Sequence, residues 1–206
     1  MAERKRRIVV ALTGASGSIY GIRLLERLSA DPGVETHLIV TAAGMLTIRQ
    51  ETDLSAGDIE RLATVVYRSR DVGAAIASGS FPTDGMAVVP CSIKTLSAIA
   101  NSYDADLVVR AADVTLKEGR PLILALRETP LHLGHIRLME QAAAAGAVIA
   151  PPVPAFYTRP QSLDDLVDHF VDRVLSRLGF EGHGQEWRGM RNEGATALRP
   201  LRRAEQ

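Results

Sequence analysis

The sequence contains one cysteine, few aromatic residues, no net charge and no long apolar run. With Cys91 as its only thiol, the chain cannot form an internal disulfide, which excludes a disulfide framework and fits a reducing cytoplasm. Basic and acidic side chains balance at 24 each, so we expect neither nucleic acid nor a membrane as a partner. No apolar run reaches the roughly 18 residues of a transmembrane helix, and the expected location is the cytoplasm.

The pattern that is present is an alternation of β-type apolar runs with segments of helical periodicity. This alternation is typical of a Rossmann-like (flavodoxin-like), doubly wound, mainly parallel sheet in a three-layer α/β/α architecture. We predict a single domain over residues 1–180 and a C-terminal extension over 181–206, which is rich in glycine and charge. Strands are predicted at 8–13, 36–41, 64–67, 86–90, 121–126 and 147–150, and helices at 18–30, 42–51, 95–102, 107–117, 134–145 and 163–178.

Residues 7–21 form the most informative stretch, because an apolar run ends there in a glycine- and serine-rich corner and an amphipathic segment follows. Gly14 and Gly17 allow a sharp turn, while Ser16 and Ser18 can cap the next helix. A helix N-terminus favours an anion, so the corner predicts a bound phosphate of a nucleotide or flavin. It has neither the lysine of a P-loop nor the spacing of the dinucleotide motif. A tight turn without a ligand is the alternative.

Polar side chains also follow other predicted strands, and ligands of open parallel sheets bind at the carboxyl ends of strands. Thr41 ends the second predicted strand, residues 91–95 follow the fourth, and residues 156–159 come after the last. Arg127 and Glu128 follow the fully apolar fifth strand, where they indicate either an active site or a surface ion pair. The convergence of these clusters favours a ligand site.

Other features of the sequence predict no chemistry of their own. Cys91 adjoins an apolar strand without a clear base, so a packed thiol is favoured over a nucleophile. His132 and His135 lack a third ligand at a recognisable spacing, so no metal site is predicted. The Gly-x-Ser-x-Gly motif of serine hydrolases is absent.

Nine motifs follow one another along residues 7–178: TGASGSIYG at 13–21, ETD at 51–53, SGSF at 78–81, PCSIKTLS at 90–97, RAAD at 110–113, LKE at 116–118, RETP at 127–130, PAFY at 154–157 and RPQS at 159–162. Together they resemble the UbiX-type flavin prenyltransferases. A Trp-Arg-Gly segment at 187–189 adds to the resemblance.

The resemblance implies an enzyme that joins a dimethylallyl group to N5 and C6 of reduced FMN and so builds a fourth ring. Its product, prenylated FMN, serves UbiD-type decarboxylases. The implied donor is dimethylallyl phosphate, no metal takes part, and the implied assembly is a homododecamer built from trimers. Whether the donor carries one phosphate or two stays open.

The resemblance also assigns roles to individual residues. The implied acid/base groups are Ser16, Glu51 and Glu128. The implied FMN-binding residues are Gly14, Ala15, Ser16, Thr41, Ser92, Ile93, Lys94, Thr95 and Arg127. The implied prenyl-phosphate site consists of Lys117, Tyr157 and Arg173, with Arg110 acting across a subunit boundary.

One departure from the family and two alternatives accompany these expectations. Some members carry a tryptophan shortly before the Ser-Gly-Ser motif, whereas residues 71–76 here contain no aromatic side chain. One alternative is an FMN-dependent cysteine decarboxylase of the same fold, although its Pro-x-Met-Asn-x-x-Met motif is missing. The other is a non-catalytic flavin-carrier subunit of an aromatic-acid decarboxylase.

Overall fold

The protein was analysed as a computed structural model that describes residues 4–182. The predicted C-terminal extension therefore lies almost wholly outside the described residues, and so does the Trp-Arg-Gly segment. The described chain forms a six-stranded sheet of order β3-β2-β1-β4-β5-β6, in which every pair is parallel. The strands are β1 (Arg6–Leu12), β2 (Val34–Val40), β3 (Val65–Arg68), β4 (Gly85–Cys91), β5 (Leu122–Leu126) and β6 (Val148–Ile149).

Helices connect the strands and cover both faces of the sheet, which confirms the predicted three-layer α/β/α class. They are α1 (Ser18–Ser29), α2 (Ala42–Glu51), α3 (Ala56–Glu60), α4 (Ile93–Ala100), α5 (Leu107–Lys117), α6 (Leu133–Ala144) and α7 (Leu163–Arg177). Within residues 4–182, none of these helices has the length and apolarity needed to cross a membrane.

The two faces of the sheet build two separate apolar clusters. On one face, Ile8 and Leu12 of β1 pack with α1 and α7, and on the other Val9 and Ala11 pack with α4 and α5. Central strands are buried on both faces, because every residue of β4 and β5 is inaccessible to solvent or nearly so. This burial explains why these strands read as continuous apolar runs rather than as alternating ones.

The direction of the connections changes between β1 and β4, which lie side by side at the centre of the sheet. Strands β2 and β3 extend from β1 on one side, and β5 and β6 extend from β4 on the other. In sheets of this kind a crevice forms at the carboxyl ends of the two central strands. The fold therefore places the glycine-rich corner, which follows β1, beside the segment that follows β4.

Candidate functional site

A cavity of about 920 Å³ opens at the carboxyl ends of the strands. It is lined by segments that follow β1 to β5, and by the two residues before α5. Every residue predicted for acid/base chemistry or for FMN binding lines it: Gly14, Ala15, Ser16, Thr41, Glu51, Ser92, Ile93, Lys94, Thr95, Arg127 and Glu128. The structure thus brings together residues that are separated by more than 100 positions in the sequence.

The ends of β1 and β4 are joined by a buried hydroxyl group. Thr13 is 1% exposed, and its Oγ1 donates to the Pro90 carbonyl at 2.8 Å while accepting from the Ser92 N–H at 2.8 Å. Because both strands end at this hydroxyl group, the glycine-rich corner is held against the start of α4. The distance between the glycine-rich corner and the start of α4 is therefore fixed.

The N-terminus of α1 is occupied by the carboxylate of Glu51, at the end of α2. Glu51 accepts hydrogen bonds from the Gly17 N–H at 3.0 Å, from the Ser18 N–H at 2.8 Å and from the Ser18 hydroxyl at 2.7 Å. The N-cap residue, Gly17, makes no side-chain cap, so the expectation that Ser16 and Ser18 cap this helix is wrong. The negative charge that a helix N-terminus favours is already supplied by the protein.

Partial burial acts to raise the pKa of Glu51, but hydrogen bonds outweigh it. They come from the hydroxyl groups of Ser16 and Ser18 and from the N–H groups of Ser18 and Gly17, and together they lower the pKa of this carboxyl group. Glu51 is accordingly a carboxylate at neutral pH. It also takes the anion position for which the sequence predicted a phosphate.

Two other helix N-termini remain open toward the cavity. In α2, Thr41 accepts from the Gly44 N–H at 3.0 Å, and in α4, Ser92 accepts from the Thr95 N–H at 3.2 Å. Within the described chain, no acceptor is found for the N–H groups of residues 42, 43, 93 and 94. Such free N–H groups suit an anionic ligand, since they are otherwise satisfied by water alone.

Glycine permits the close approach of α2 to the end of β1. A Cβ atom at Gly44 would lie 2.4 Å from the Leu12 carbonyl oxygen, and one at Gly14 would lie 2.4 Å from the Cβ of Ala43. Any side chain at either position would push α2 away from β1. The glycines thus set the distance between the corner and the N-terminus of α2.

Arg127 and Glu128 line the cavity. They do not form the surface ion pair that the sequence left open as an alternative. Among residues 4–182, neither side chain belongs to a salt bridge. The Arg127 N–H donates to the Cys91 carbonyl at 3.1 Å, which fixes the end of β5 to that of β4. Glu128 accepts from the Thr129 N–H at 3.0 Å. The Arg127 side chain is left exposed toward the cavity.

The four residues predicted for prenyl-phosphate binding do not line this cavity in their own chain. Two lie on α5, where Arg110 donates to the Ala77 carbonyl at 3.1 Å and Lys117 Nζ lies 2.6 Å from Glu118 Oε1. The other two lie near α7: the Tyr157 hydroxyl group is 3.0 Å from His169 Nε2, and Arg173 is exposed on that helix.

Cys91 is a packed thiol, as predicted. It is fully buried within the cluster around α4 and α5, and burial raises its pKa to about 12. The rings of His132 and His135 contact each other with centroids 3.5 Å apart and a tilt of 32°, and His132 is the N-cap of α6. No group of three metal-ligating side chains occurs between residues 4 and 182.

Several cavity residues were missed at the level of the sequence. Ser69 and Arg70 follow β3, and Asp106 is the N-cap of α5. Leu46, Thr47 and Gln50 line the cavity from α2. Applying the strand-end rule to β3, as to the other strands, points to Ser69 and Arg70. No sequence signal marks Leu46, Thr47 and Gln50, because they precede the ETD motif at the end of α2 and belong to no motif themselves.

Comparisons with known proteins show which family this chain is similar to. A family model described as Flavoprotein matches residues 1–175. Flavin prenyltransferase UbiX of Escherichia coli strain K12 is 56% identical over 175 residues, which are 85% of this chain and 93% of that protein.

Two solved structures are similar over nearly their full length. AnUbiX (PadA1) in complex with FMN and dimethylallyl pyrophosphate has a TM-score of 0.88 and 47% identity, covering 91% of this chain and all of that one. A dodecameric FMN-dependent Ubix-like decarboxylase from Escherichia coli O157:H7 has a TM-score of 0.86 and 46% identity, covering 89% of this chain and all of that one.

Proposed function

The chain belongs to the Flavoprotein family and is a UbiX-type flavin prenyltransferase, and from this membership we propose how its residues divide the work. The enzyme joins a dimethylallyl group from dimethylallyl phosphate to N5 and C6 of reduced FMN, and it releases phosphate. The observation that carries the proposal is the cavity, which collects every residue implied for FMN binding and acid/base chemistry.

The residues of the cavity fit FMN. Its volume of about 920 Å³ lies in the range of small-molecule sites, and cations and free N–H groups face an anionic ligand. We assign FMN binding to Gly14, Ala15, Ser16, Thr41, Ser92, Ile93, Lys94, Thr95 and Arg127. Reduced FMN supplies the acceptor atoms and an electron-rich ring beside the allyl group. Residues 71–76 contain no aromatic side chain, so within this segment nothing adds to that π surface.

Three residues handle protons in this proposal. Glu51 is held as a carboxylate by the start of α1, so at neutral pH it accepts a proton rather than donating one. Ser16 provides a hydroxyl group at the corner, beside the position assigned to N5. Glu128, which lines the cavity after β5, exchanges a proton with the departing phosphate.

Arg110, Lys117, Tyr157 and Arg173 bind the phosphate of the prenyl donor. Breaking an allylic C–O bond leaves positive charge on the allyl group and negative charge on the phosphate, which cationic and hydroxyl groups stabilise. None of the four lines the cavity of its own chain, and we propose that a neighbouring copy provides the two residues on α5, Arg110 and Lys117. This arrangement requires a homo-oligomer, and we propose trimers that assemble into a dodecamer.

The product, prenylated FMN, passes to a UbiD-type decarboxylase in the cytoplasm. We propose that residues 1–180 form one FMN-binding domain that is sufficient for the chemistry. The cysteine decarboxylase alternative is disfavoured by the missing Pro-x-Met-Asn-x-x-Met motif and by the high identity to a flavin prenyltransferase. The carrier alternative is disfavoured by the presence of every residue implied for acid/base chemistry.

Incubation with reduced FMN and dimethylallyl phosphate under anaerobic conditions tests the activity. Mass spectrometry should detect a flavin heavier by one C5H8 unit, together with released phosphate. The Glu128→Gln variant should bind FMN but form at least about tenfold less product, because one proton-handling group is lost. FMN binding by the wild-type protein without any prenylated product would favour the carrier alternative instead.

A further inference from the structure

Arg70 is a cation at the cavity to which the proposed function gives no role. It is exposed, lies two residues after the end of β3 and lines the cavity. Within residues 4–182 it forms no salt bridge. Asp106 lines the same cavity, but its carboxylate already accepts from the Val109 N–H at 3.1 Å as the cap of α5.

Strand register places Arg70 beside the N-terminus of α2. Val40 pairs with Arg68, so Thr41 and Ser69 leave the sheet on adjacent parallel strands about 4.8 Å apart. The Ser69 carbonyl accepts from the Leu107 N–H at 2.8 Å, which anchors the backbone before Arg70. Arg70 therefore lines the cavity from the element next to the one that carries Ala42 and Ala43.

At this end of the cavity, no carboxylate among residues 4–182 forms a salt bridge with Arg70. The equivalent position at α1 is neutralised by Glu51, which leaves that helix without room for a second anion. Arg can form two parallel hydrogen bonds to a phosphate, and a helix N-terminus adds backbone donors. A doubly charged phosphate monoester is the ligand that matches both features.

We propose that Arg70, with the N-terminus of α2, binds the 5′-phosphate of FMN and so selects FMN over riboflavin. This proposal rests on the proposed function, in which the cavity holds FMN. It adds a specificity-determining residue that the nine sequence motifs do not contain. The flavin ring then lies on the other side of β1, toward Ser92 and Arg127.

The dissociation constants of FMN and riboflavin distinguish a phosphate contact from a general effect on the cavity. The Arg70→Ala variant should bind FMN about tenfold or more weakly, while its affinity for riboflavin changes less than about twofold. Arg70→Lys should lose less affinity for FMN than Arg70→Ala, because lysine keeps the positive charge but cannot form the two parallel hydrogen bonds of a guanidinium group. Arg68→Ala is the matched control, since Arg68 is an exposed arginine of the same segment that does not line the cavity.

The possible outcomes separate the role of Arg70 from the proposed function. A preference for FMN over riboflavin that collapses in Arg70→Ala but not in Arg68→Ala supports the assignment. If the wild-type protein binds FMN and Arg70→Ala keeps the same preference for FMN over riboflavin, the role of Arg70 is overturned while the proposed function stands. The same holds if Arg70→Ala loses affinity for both flavins equally. A wild-type protein that binds neither flavin overturns the proposed function, and the role of Arg70 with it.

Discussion

At the scale of single residues, Glu51 links chemistry to folding. Its carboxylate joins the end of α2 to the start of α1 and lines the cavity at the same time. The contact spans 33 and 34 residues of sequence, so no local pattern announces it. A motif can identify Glu51 as a functional residue, but only the fold shows that it also acts as the cap of α1.

Replacing Glu51 with glutamine should lower the free energy of unfolding at neutral pH by about 1 kcal/mol, because the charged cap of α1 is lost. The pKa of Glu51 is lower in the folded state than in the unfolded chain, so the ionised carboxylate stabilises the folded protein. This stabilisation is complete at pH values above the ordinary pKa of a glutamate. It is lost as the pH falls through the lowered pKa of the folded state. The difference between the two proteins should therefore shrink below about pH 4.

Urea denaturation at several pH values measures this effect. Glu60→Gln is the control, since Glu60 is exposed at the end of α3 and belongs to no described salt bridge. A pH-independent difference for Glu51→Gln would contradict the electrostatic explanation.

His169 is a residue of this chain that the motifs do not include. Its Nε2 lies 3.0 Å from the Tyr157 hydroxyl group, and the two rings meet edge to face with centroids 5.6 Å apart. His169 precedes Arg173 by four residues on α7, so the two share a helix face. The contact therefore holds Tyr157 on the side of α7 that carries Arg173.

Removing this contact should weaken use of the prenyl donor. We expect His169→Leu to raise the KM for dimethylallyl phosphate about fivefold, because a hydrogen bond to Tyr157 is lost. The kcat and the affinity for FMN should stay nearly unchanged. His169→Gln keeps a hydrogen-bonding side chain and should restore most of the affinity. Steady-state kinetics of both variants measure the difference, and equal defects would argue against a role in positioning Tyr157.

At the scale of elements, some segments could be predicted closely and others not. Helices α2 and α5 have the bounds that were predicted, since both begin at a good N-cap residue, and α5 is followed by a glycine with positive φ. Helix α3 was missed, because five residues are too few to show a helical period. Helix α4 begins two residues earlier than predicted, with Ser92 as its cap.

The contact between α2 and β1 gives the element-scale prediction. Gly44→Ala should destabilise the protein by about 1–3 kcal/mol, because the new methyl group would meet the Leu12 carbonyl oxygen at 2.4 Å. It should also weaken FMN binding, since Thr41 and the free N–H groups move with α2. Gly57→Ala in α3 is the control, because a methyl group there meets nothing closer than 3.5 Å. Thermal unfolding and flavin titration of both variants measure these effects, and equal stability of the two would contradict the steric argument.

At the scale of the whole molecule, the residues of the proposed site fall into two groups. One group converges on a single cavity because the carboxyl ends of parallel strands meet at one edge of the sheet, and this convergence could be predicted from the sequence. The other group lies on α5, on α7 and in the loop before α7, outside that cavity. Motif order alone could not separate these groups, since it carries no information on which copy of the chain supplies each residue.

The position of Arg110 and Lys117, outside the cavity of their own chain, has a consequence for mixtures of defective proteins. In the proposed site, Ser16→Ala damages the cavity of a subunit, whereas Lys117→Ala damages the residue that this subunit would provide to its neighbour. When the two impaired variants are unfolded and reassembled together in equal amounts, about a quarter of the sites should combine an intact cavity with a neighbour whose Lys117 is intact. A mixture that forms clearly more product than either variant alone would mean that two defective chains complement each other within one assembly.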